Sequence, residues 1–153
     1  LARLEQAGKL TAVITQNIDG LHQAAGSRTV LELHGSVHRN SCLRCGRRYG
    51  LDAILAGDGV PTCECGGVIK PDVVLYEEAL DGALMTAAVE QLEAADTLIV
   101  GGTSLVVYPA AGLVRAFRGE QLVLINKQPT SYDHLATLVL HEPIGEALGA
   151  AVP

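Results

Sequence analysis

Apolar residues fall into short, mostly continuous runs: Ala12-Val13-Ile14, Val30-Leu31-Glu32-Leu33, Val73-Val74-Leu75, Leu98-Ile99-Val100, Leu122-Val123-Leu124-Ile125 and Leu138-Val139-Leu140. Runs this short predict strands, and continuity rather than alternation is what a sheet covered on both faces requires. Between them the period changes. Leu84, Ala88 and Leu92 recur at helical spacing, with Asp81 placed to cap the start. Pro109 suits a first helical turn, Leu113, Val114 and Phe117 follow it, and Gly119 stands where that helix should stop. A last helix is predicted from Pro143, weakened by Gly145 and Gly149. Strands alternating with helices predict an α/β fold with a doubly wound, Rossmann-like parallel sheet. Residues 36–70 interrupt this pattern with fewer strand signals and more glycine and polar residues. The expected organisation is therefore a sheet domain from residues 1–35 and 71–153, with 36–70 inserted as a small module.

Composition narrows the function classes. Hydrophobic residues make up 48% of the 153 and charged residues 18%, enough to bury roughly 70% of the unfolded surface in one domain. The net charge of −6 argues against a general nucleic-acid or membrane-surface binder, which presents a basic face. No apolar run approaches the roughly 18–20 residues of a membrane-spanning helix, and no basic segment leads into an apolar one at the start. A cytoplasmic protein is expected. The single methionine is Met85, so Leu1 is not expected to be the native beginning.

The four cysteines are grouped as Cys42 and Cys45, with two residues between them, then Cys63 and Cys65, with one between. In a chain without export signals, such pairs read as ligands of a structural zinc, whose tetrahedral shell four thiolates complete. Gly46, Gly66 and Gly67 supply the turns beside them. Four free thiols, or a redox pair at Cys42 and Cys45, are the alternatives, although the strand-to-helix setting of a redox pair is missing.

Polar residues gather immediately after the predicted strands, where open α/β sheets bind their ligands. Thr15-Gln16-Asn17-Ile18-Asp19-Gly20-Leu21-His22 follows the first run, His34-Gly35 the second, Gly101-Gly102-Thr103-Ser104 the fourth and Asn126-Lys127 the fifth. Singly, each has an ordinary explanation. Asn17 and Asp19 fit a turn or helix cap, His34 a surface histidine, and Gly101-Gly102-Thr103-Ser104 a tight turn as well as a phosphate cradle. Four such clusters at strand ends predict one composite pocket for a polar, nucleotide-like ligand.

The ordered motifs resemble the sirtuins. They are Thr15-Gln16-Asn17-Ile18-Asp19-Gly20-Leu21-His22, Glu32-Leu33-His34-Gly35, the two cysteine pairs, Lys70-Pro71-Asp72-Val73-Val74-Leu75-Tyr76 and Gly102-Thr103-Ser104-Leu105-Val106-Val107-Tyr108-Pro109. The resemblance is to bacterial NAD-dependent protein-lysine deacylases and covers nearly the whole chain. It implies that His34 is the catalytic base. Gln16, Asn17, Ile18 and Asp19 would surround the nicotinamide and its ribose. Gly102, Thr103 and Ser104 would hold phosphate and the adenosine ribose, Asn126 and Lys127 the adenosine end, and Pro143 a late NAD contact. Val73, Val74 and Tyr76 would receive the acyl-lysine peptide, and Cys42, Cys45, Cys63 and Cys65 would hold zinc.

The implied reaction transfers the acyl group of a modified lysine to ADP-ribose as nicotinamide leaves. Its base accepts a proton from a ribose hydroxyl, which suits an imidazole of ordinary pKa ~6.5. One departure stands out: the family's opening Gly-Ala-Gly-Ile-Ser loop and the Phe-Arg pair downstream of it do not occur ahead of Thr15. The chain is therefore expected to be an N-terminally truncated sirtuin and, taken alone, a poor or inactive deacylase. The rival readings are a non-catalytic zinc-bearing module binding an acidic partner through Arg39, Arg44, Arg47 and Arg48, and an NAD-dependent oxidoreductase. The oxidoreductase needs a Gly-x-Gly-x-x-Gly turn that the sequence lacks.

Overall fold

A computed structural model describes residues 1–152. The chain divides into two compact units, Leu1–Glu5 with Ala12–Asp81, and Gln6–Thr11 with the chain from Gly82 onward. The first unit contains α1 (Ala2–Gln6, whose last residue passes to the second unit), β1 (Val13–Thr15), α2 (Leu21–Ala24) and β2 (Val30–Glu32). After these come β3 (Gly35–Cys42), β4 (Arg48–Tyr49), α3 (Leu51–Leu55) and β5 (Ile69–Val73). β1 and β2 form a parallel pair with Val13 opposite Val30 and Thr15 opposite Glu32. β3 is the centre of an antiparallel sheet in the order β4-β3-β5.

The fold is α/β, and two details differ from the sequence reading. Residues 36–70 hold most of the longest strand, β3, whose Ser36, Asn40 and Cys42 are buried. Polar residues occupy the inward positions there, so hydrophobic pattern could not announce it. The run Val73-Val74-Leu75 is the end of β5 rather than a strand of a parallel sheet. Only Val73 is paired, antiparallel and opposite Gly35.

The second unit holds α4 (Gly82–Ala94), β6 (Thr97–Gly101), a 3-10 helix at Ala110–Ala116, β7 (Gln121–Ile125), β8 (Leu138–Leu140) and α5 (Ile144–Ala151). β6, β7 and β8 form a parallel sheet with β7 central. Register places Leu98 beside Leu122, and Leu124 between Val100 and Val139. These residues make one face of the sheet, packed against Leu105, Ala111, Val114 and Tyr132. The expected helix after Pro109 is a 3-10 helix, while α5 forms despite Gly145 and Gly149. α4 begins directly after Asp81 and buries Ala88 and Leu92, two of the three predicted positions. No helix among the described residues is long and apolar enough to cross a membrane.

Leu124, 2% exposed at the centre of that face, should cost about 2–5 kcal/mol when cut to alanine, because the cavity adds to the lost burial. Urea unfolding of Leu124→Ala checks this. A second test concerns α1, tied down by Glu5, whose carboxylate accepts the backbone N–H groups of Arg28 and Thr29 at 2.8 Å each. Those bonds, Arg28 first, hold the Glu5 carboxyl below its ordinary value of 4.5. A depressed carboxyl contributes stability above its unfolded pKa, and that stability is lost as pH falls through the folded value. Glu5→Gln should therefore melt lower than the parent at neutral pH, with the gap closing as the solution is acidified through the carboxylate range.

Candidate functional site

The first unit builds its polar centre around a sharp crossing. β2 ends at Glu32, and Leu33 extends the ladder by donating its N–H to Thr15 O at 2.9 Å. Two residues later β3 begins at Gly35, with φ +78°. A side chain at Gly35 would be driven into the Asp72 carbonyl, so left-handed backbone and close approach both require glycine there. His34 is thereby held at the junction, its carbonyl accepting the Val74 N–H at 3.0 Å.

The half-buried His34 ring faces the loop after β1. Its Nδ1 lies 2.9 Å from Gln16 O. A carbonyl can only accept, so Nδ1 carries the proton and Nε2 keeps its lone pair. An imidazole in this tautomer can take a proton from a ligand hydroxyl. The loop itself is shaped by its own side chains: Thr15 Oγ1 accepts the Asn17 N–H at 3.0 Å, and Asp19 Oδ1 accepts the Leu21 N–H at 3.0 Å, opening α2. The turn or cap role expected of Asp19 is present. The Asn17 and Asp19 residues remain exposed.

The structure thus gathers Gln16, His34, Val73 and Val74 through direct main-chain or ring contacts, with Asn17, Ile18 and Asp19 in the adjoining loop. Tyr76 lies beyond the end of β5 and is 98% exposed. Sequence reasoning missed His38, which donates from Nε2 to Asp19 O at 3.0 Å. It also missed the buried Glu32, whose Oε2 meets Arg39 Nη1 at 2.7 Å. Glu32 stands in the motif Glu32-Leu33-His34-Gly35 and His38 four residues beyond His34, but their partners become visible only in the folded chain.

In the second unit, the parallel order brings three strand ends to one edge. Gly102 follows β6 and donates its N–H to Ile125 O at 3.0 Å, and Asn126 follows β7 and donates to Leu140 O at 3.0 Å. His141, after β8, donates from Nδ1 to Asn126 O at 3.0 Å, and Pro143 leads into α5. Gly102, Thr103, Ser104, Asn126, Lys127 and Pro143 therefore share the carboxyl edge of one sheet. Thr103 Oγ1 accepts the Leu105 N–H at 3.2 Å. Leu105 has φ +56°, a strain of about 1–2 kcal/mol, and is held there with its side chain 4% exposed in the core. The Asn126 amide donates to Gln128 O at 2.8 Å.

The four cysteines converge. Their sulfurs all lie within 4.8 Å of one another, with Cys42 to Cys65 at 3.5 Å and Cys45 to Cys63 at 3.7 Å. Thiolates around a tetrahedral zinc, with Zn–S bonds of about 2.3 Å, stand about 3.8 Å apart. The set fits such an ion. Tight turns aim the sulfurs: Gly46 N–H donates to Cys42 O at 2.9 Å and Gly66 N–H to Cys63 O at 2.8 Å. Thus the one-residue spacing of the second pair is accommodated. The Tyr49 hydroxyl, another residue missed in sequence, donates to Cys63 Sγ at 2.9 Å and brings that thiol down to about 6. Cys65 is pushed up to about 12, where the Gly67 amide pulls downward but crowding by Cys42 and Cys63 outweighs it. Four thiolates this close repel, and a central divalent cation removes the conflict.

Comparison with known proteins agrees with these motifs. The sequence matches the Sir2 family over residues 1–109. An NAD-dependent protein deacetylase of Clostridium acetobutylicum is 55% identical over 154 aligned positions, covering 99% of this chain and 63% of that protein. One of Cutibacterium acnes is 58% identical over 150 positions, covering 98% of this chain and 62% of that protein. The crystal structure of Sir2 with the inhibitor EX-527, 2'-O-acetyl-ADP-ribose and deacetylated p53 peptide superposes with a TM-score of 0.90 at 41% identity, covering 98% of this chain and 66% of that one. Sir2 with p53 peptide and NAD gives 0.89 at 42% identity, covering 98% and 65%. The chain spans somewhat under two thirds of the length of the curated relatives it matches. By family match, identity and fold, the chain belongs to the Sir2 family.

Proposed function

We propose that the protein of which this chain forms part removes acetyl or other acyl groups from protein lysines with NAD as cosubstrate, giving nicotinamide and O-acyl-ADP-ribose. The observation that carries this reading is His34. Its Nδ1 is committed to Gln16 O at 2.9 Å, so Nε2 is the free acceptor, and the ring sits where β2, the Gln16–Asp19 loop and the end of β5 meet. Curated relatives named NAD-dependent protein deacetylase support it at 55% and 58% identity.

NAD would supply the nicotinamide–ribose bond whose cleavage makes the ribose electrophilic. The chain's own residues bind, orient and move a proton. Asn17 and Asp19 would hold the carboxamide and ribose, with Gln16 and Ile18 lining the same place. Gly102, Thr103 and Ser104 would take the phosphate and adenosine ribose, Asn126 and Lys127 the adenosine end, and Pro143 a further contact. Val73 and Val74 would pair with an extended acyl-lysine peptide, main-chain bonds giving affinity, with Tyr76 alongside. His34 Nε2 would accept the proton of a ribose hydroxyl as the acyl group passes to it. We assign residues 1–35 and 71–153 to NAD binding and 36–70 to the zinc module, in a cytoplasmic enzyme.

Zinc would be held by Cys42, Cys45, Cys63 and Cys65. Four thiolates leave no open position, so its contribution is to fold the small sheet. The alternative of a basic docking surface loses its main residues. Arg39 pairs with Glu32, Arg47 with Glu64, and Arg44 donates to Cys65 O at 2.6 Å.

Two experiments test this reading. In the protein carrying the family's Gly-Ala-Gly-Ile-Ser segment ahead of Leu1, His34→Ala should cut NAD-dependent deacetylation of an acetyl-lysine peptide by about 10² or more, the usual scale for a lost general base. NAD affinity should stay within a few fold, and ordinary turnover by the variant would remove His34 from the mechanism. Element analysis should find one zinc per chain, and Cys42→Ser should release it and unfold the small module, since binding there is folding free energy. Protein never exposed to chelator yet holding well under one zinc would refute the assignment.

A further inference from the structure

Strand β3 carries an irregularity that the chemistry above leaves unused. Its pairing with β5 runs through Gly35↔Val73 and Ser36↔Asp72, then resumes at Asn40↔Pro71. Val37, His38 and Arg39 are therefore extruded as a bulge, a device that re-aims side chains beside functional sites. Each of the three makes a bond away from β5. Val37 donates its N–H to Ile18 O at 3.1 Å, His38 donates from Nε2 to Asp19 O at 3.0 Å, and Arg39 meets Glu32 at 2.7 Å. Two of these bonds go to the loop after β1 and the third to the end of β2.

The bulge is itself anchored. Asn40, 1% exposed, donates from Nδ2 to Val37 O at 3.1 Å, and Ser36 Oγ accepts the His38 N–H at 3.2 Å. The His38 ring lies against Gly20, where a Cβ would come within 2.8 Å of its Cδ2. The exposed ring thus lies between the strand and the loop. The loop's own side-chain bonds secure Asn17 N–H and Leu21 N–H, at its two ends. Between those points the Ile18 and Asp19 carbonyls are held from β3.

We propose that His38 is a positioning residue: by donating to the Asp19 carbonyl it holds the Gln16–Gly20 loop, so that Gln16 O orients the His34 ring and Asn17 and Asp19 are presented in one arrangement. This rests on the reading of that loop as the nicotinamide–ribose site. His38 touches no reacting atom in this account. Its effect is carried through the loop, and it should weigh on NAD use more than on stability.

The test uses the N-terminally extended protein with His38→Ala and His38→Gln, the glutamine keeping an N–H donor. Three quantities are read: hydrogen exchange at the Asn17, Leu21 and Val37 amides without ligand, KM for NAD and kcat with an acetyl-lysine peptide, and Tm with zinc content. His38→Ala should speed exchange at those amides and raise KM for NAD about 2–10-fold, the scale of one lost hydrogen bond. Tm and zinc content should hold, and His38→Gln should recover most of the loss. Exchange and KM unchanged in His38→Ala would overturn the proposal. So would a fall in turnover that tracks Tm and is not rescued by glutamine. If the parent shows no NAD-dependent turnover, the functional reading fails, and exchange at the three amides still decides whether His38 holds the loop.

Discussion

The crossing at Gly35 governs the first unit. A strand of the parallel pair must hand over to the antiparallel sheet, and it does so with backbone pressed against the Asp72 carbonyl. That contact leaves no room for a Cβ and sets His34 one residue before it. The same contact starts the register of β3 on β5, with Gly35 opposite Val73, and brings the Val74 N–H to His34 O. The histidine and the edge expected to receive substrate are therefore positioned by one close backbone approach. A larger residue at 35 would move both.

Metal ligation would play the corresponding part in the small sheet. Its apolar cluster consists of Cys42, Cys63 and Ile69, with Tyr49, Ile54 and Cys65 against it, too few groups to order a sheet by burial alone. Sulfurs within 4.8 Å would instead repel once ionised. A cation would turn that repulsion into cohesion. β3 carries Cys42 at one end and, nearer its other, the bulge that meets the Gln16–Gly20 loop.

The second unit solves a different problem by topology. Three parallel strands in the order β6-β7-β8 put all their carboxyl ends on one edge, where Gly102, Asn126 and the segment before Pro143 are tied by main-chain and histidine bonds. The apolar face below, from Leu98 and Leu122 to Val139, fixes the register. The loops at that edge can then be irregular. Leu105 keeps a left-handed backbone because burying its side chain offsets the strain.

By itself, the sequence determined the elements whose burial is one-sided or complete: the apolar runs of β1, β2, β6, β7 and β8, the face of α4, and the cysteine pairs whose spacing suits a metal. Motif order was enough to propose Gln16 to Asp19, His34 and Gly102 to Ser104 as site residues. What tertiary structure alone decided lies where polar residues face inward or partners are distant in sequence. β3 buries Ser36 and Asn40 and so shows no hydrophobic period, and Val73 to Leu75 has a strand's composition but only Val73 belongs to a strand. The tautomer of His34, the Tyr49 bond to Cys63 and the reach of His38 to Asp19 each depend on hydrogen bonds across 14 to 19 residues of chain. Local pattern records which face is dry. It does not record which polar group will stand opposite another once the strands have paired.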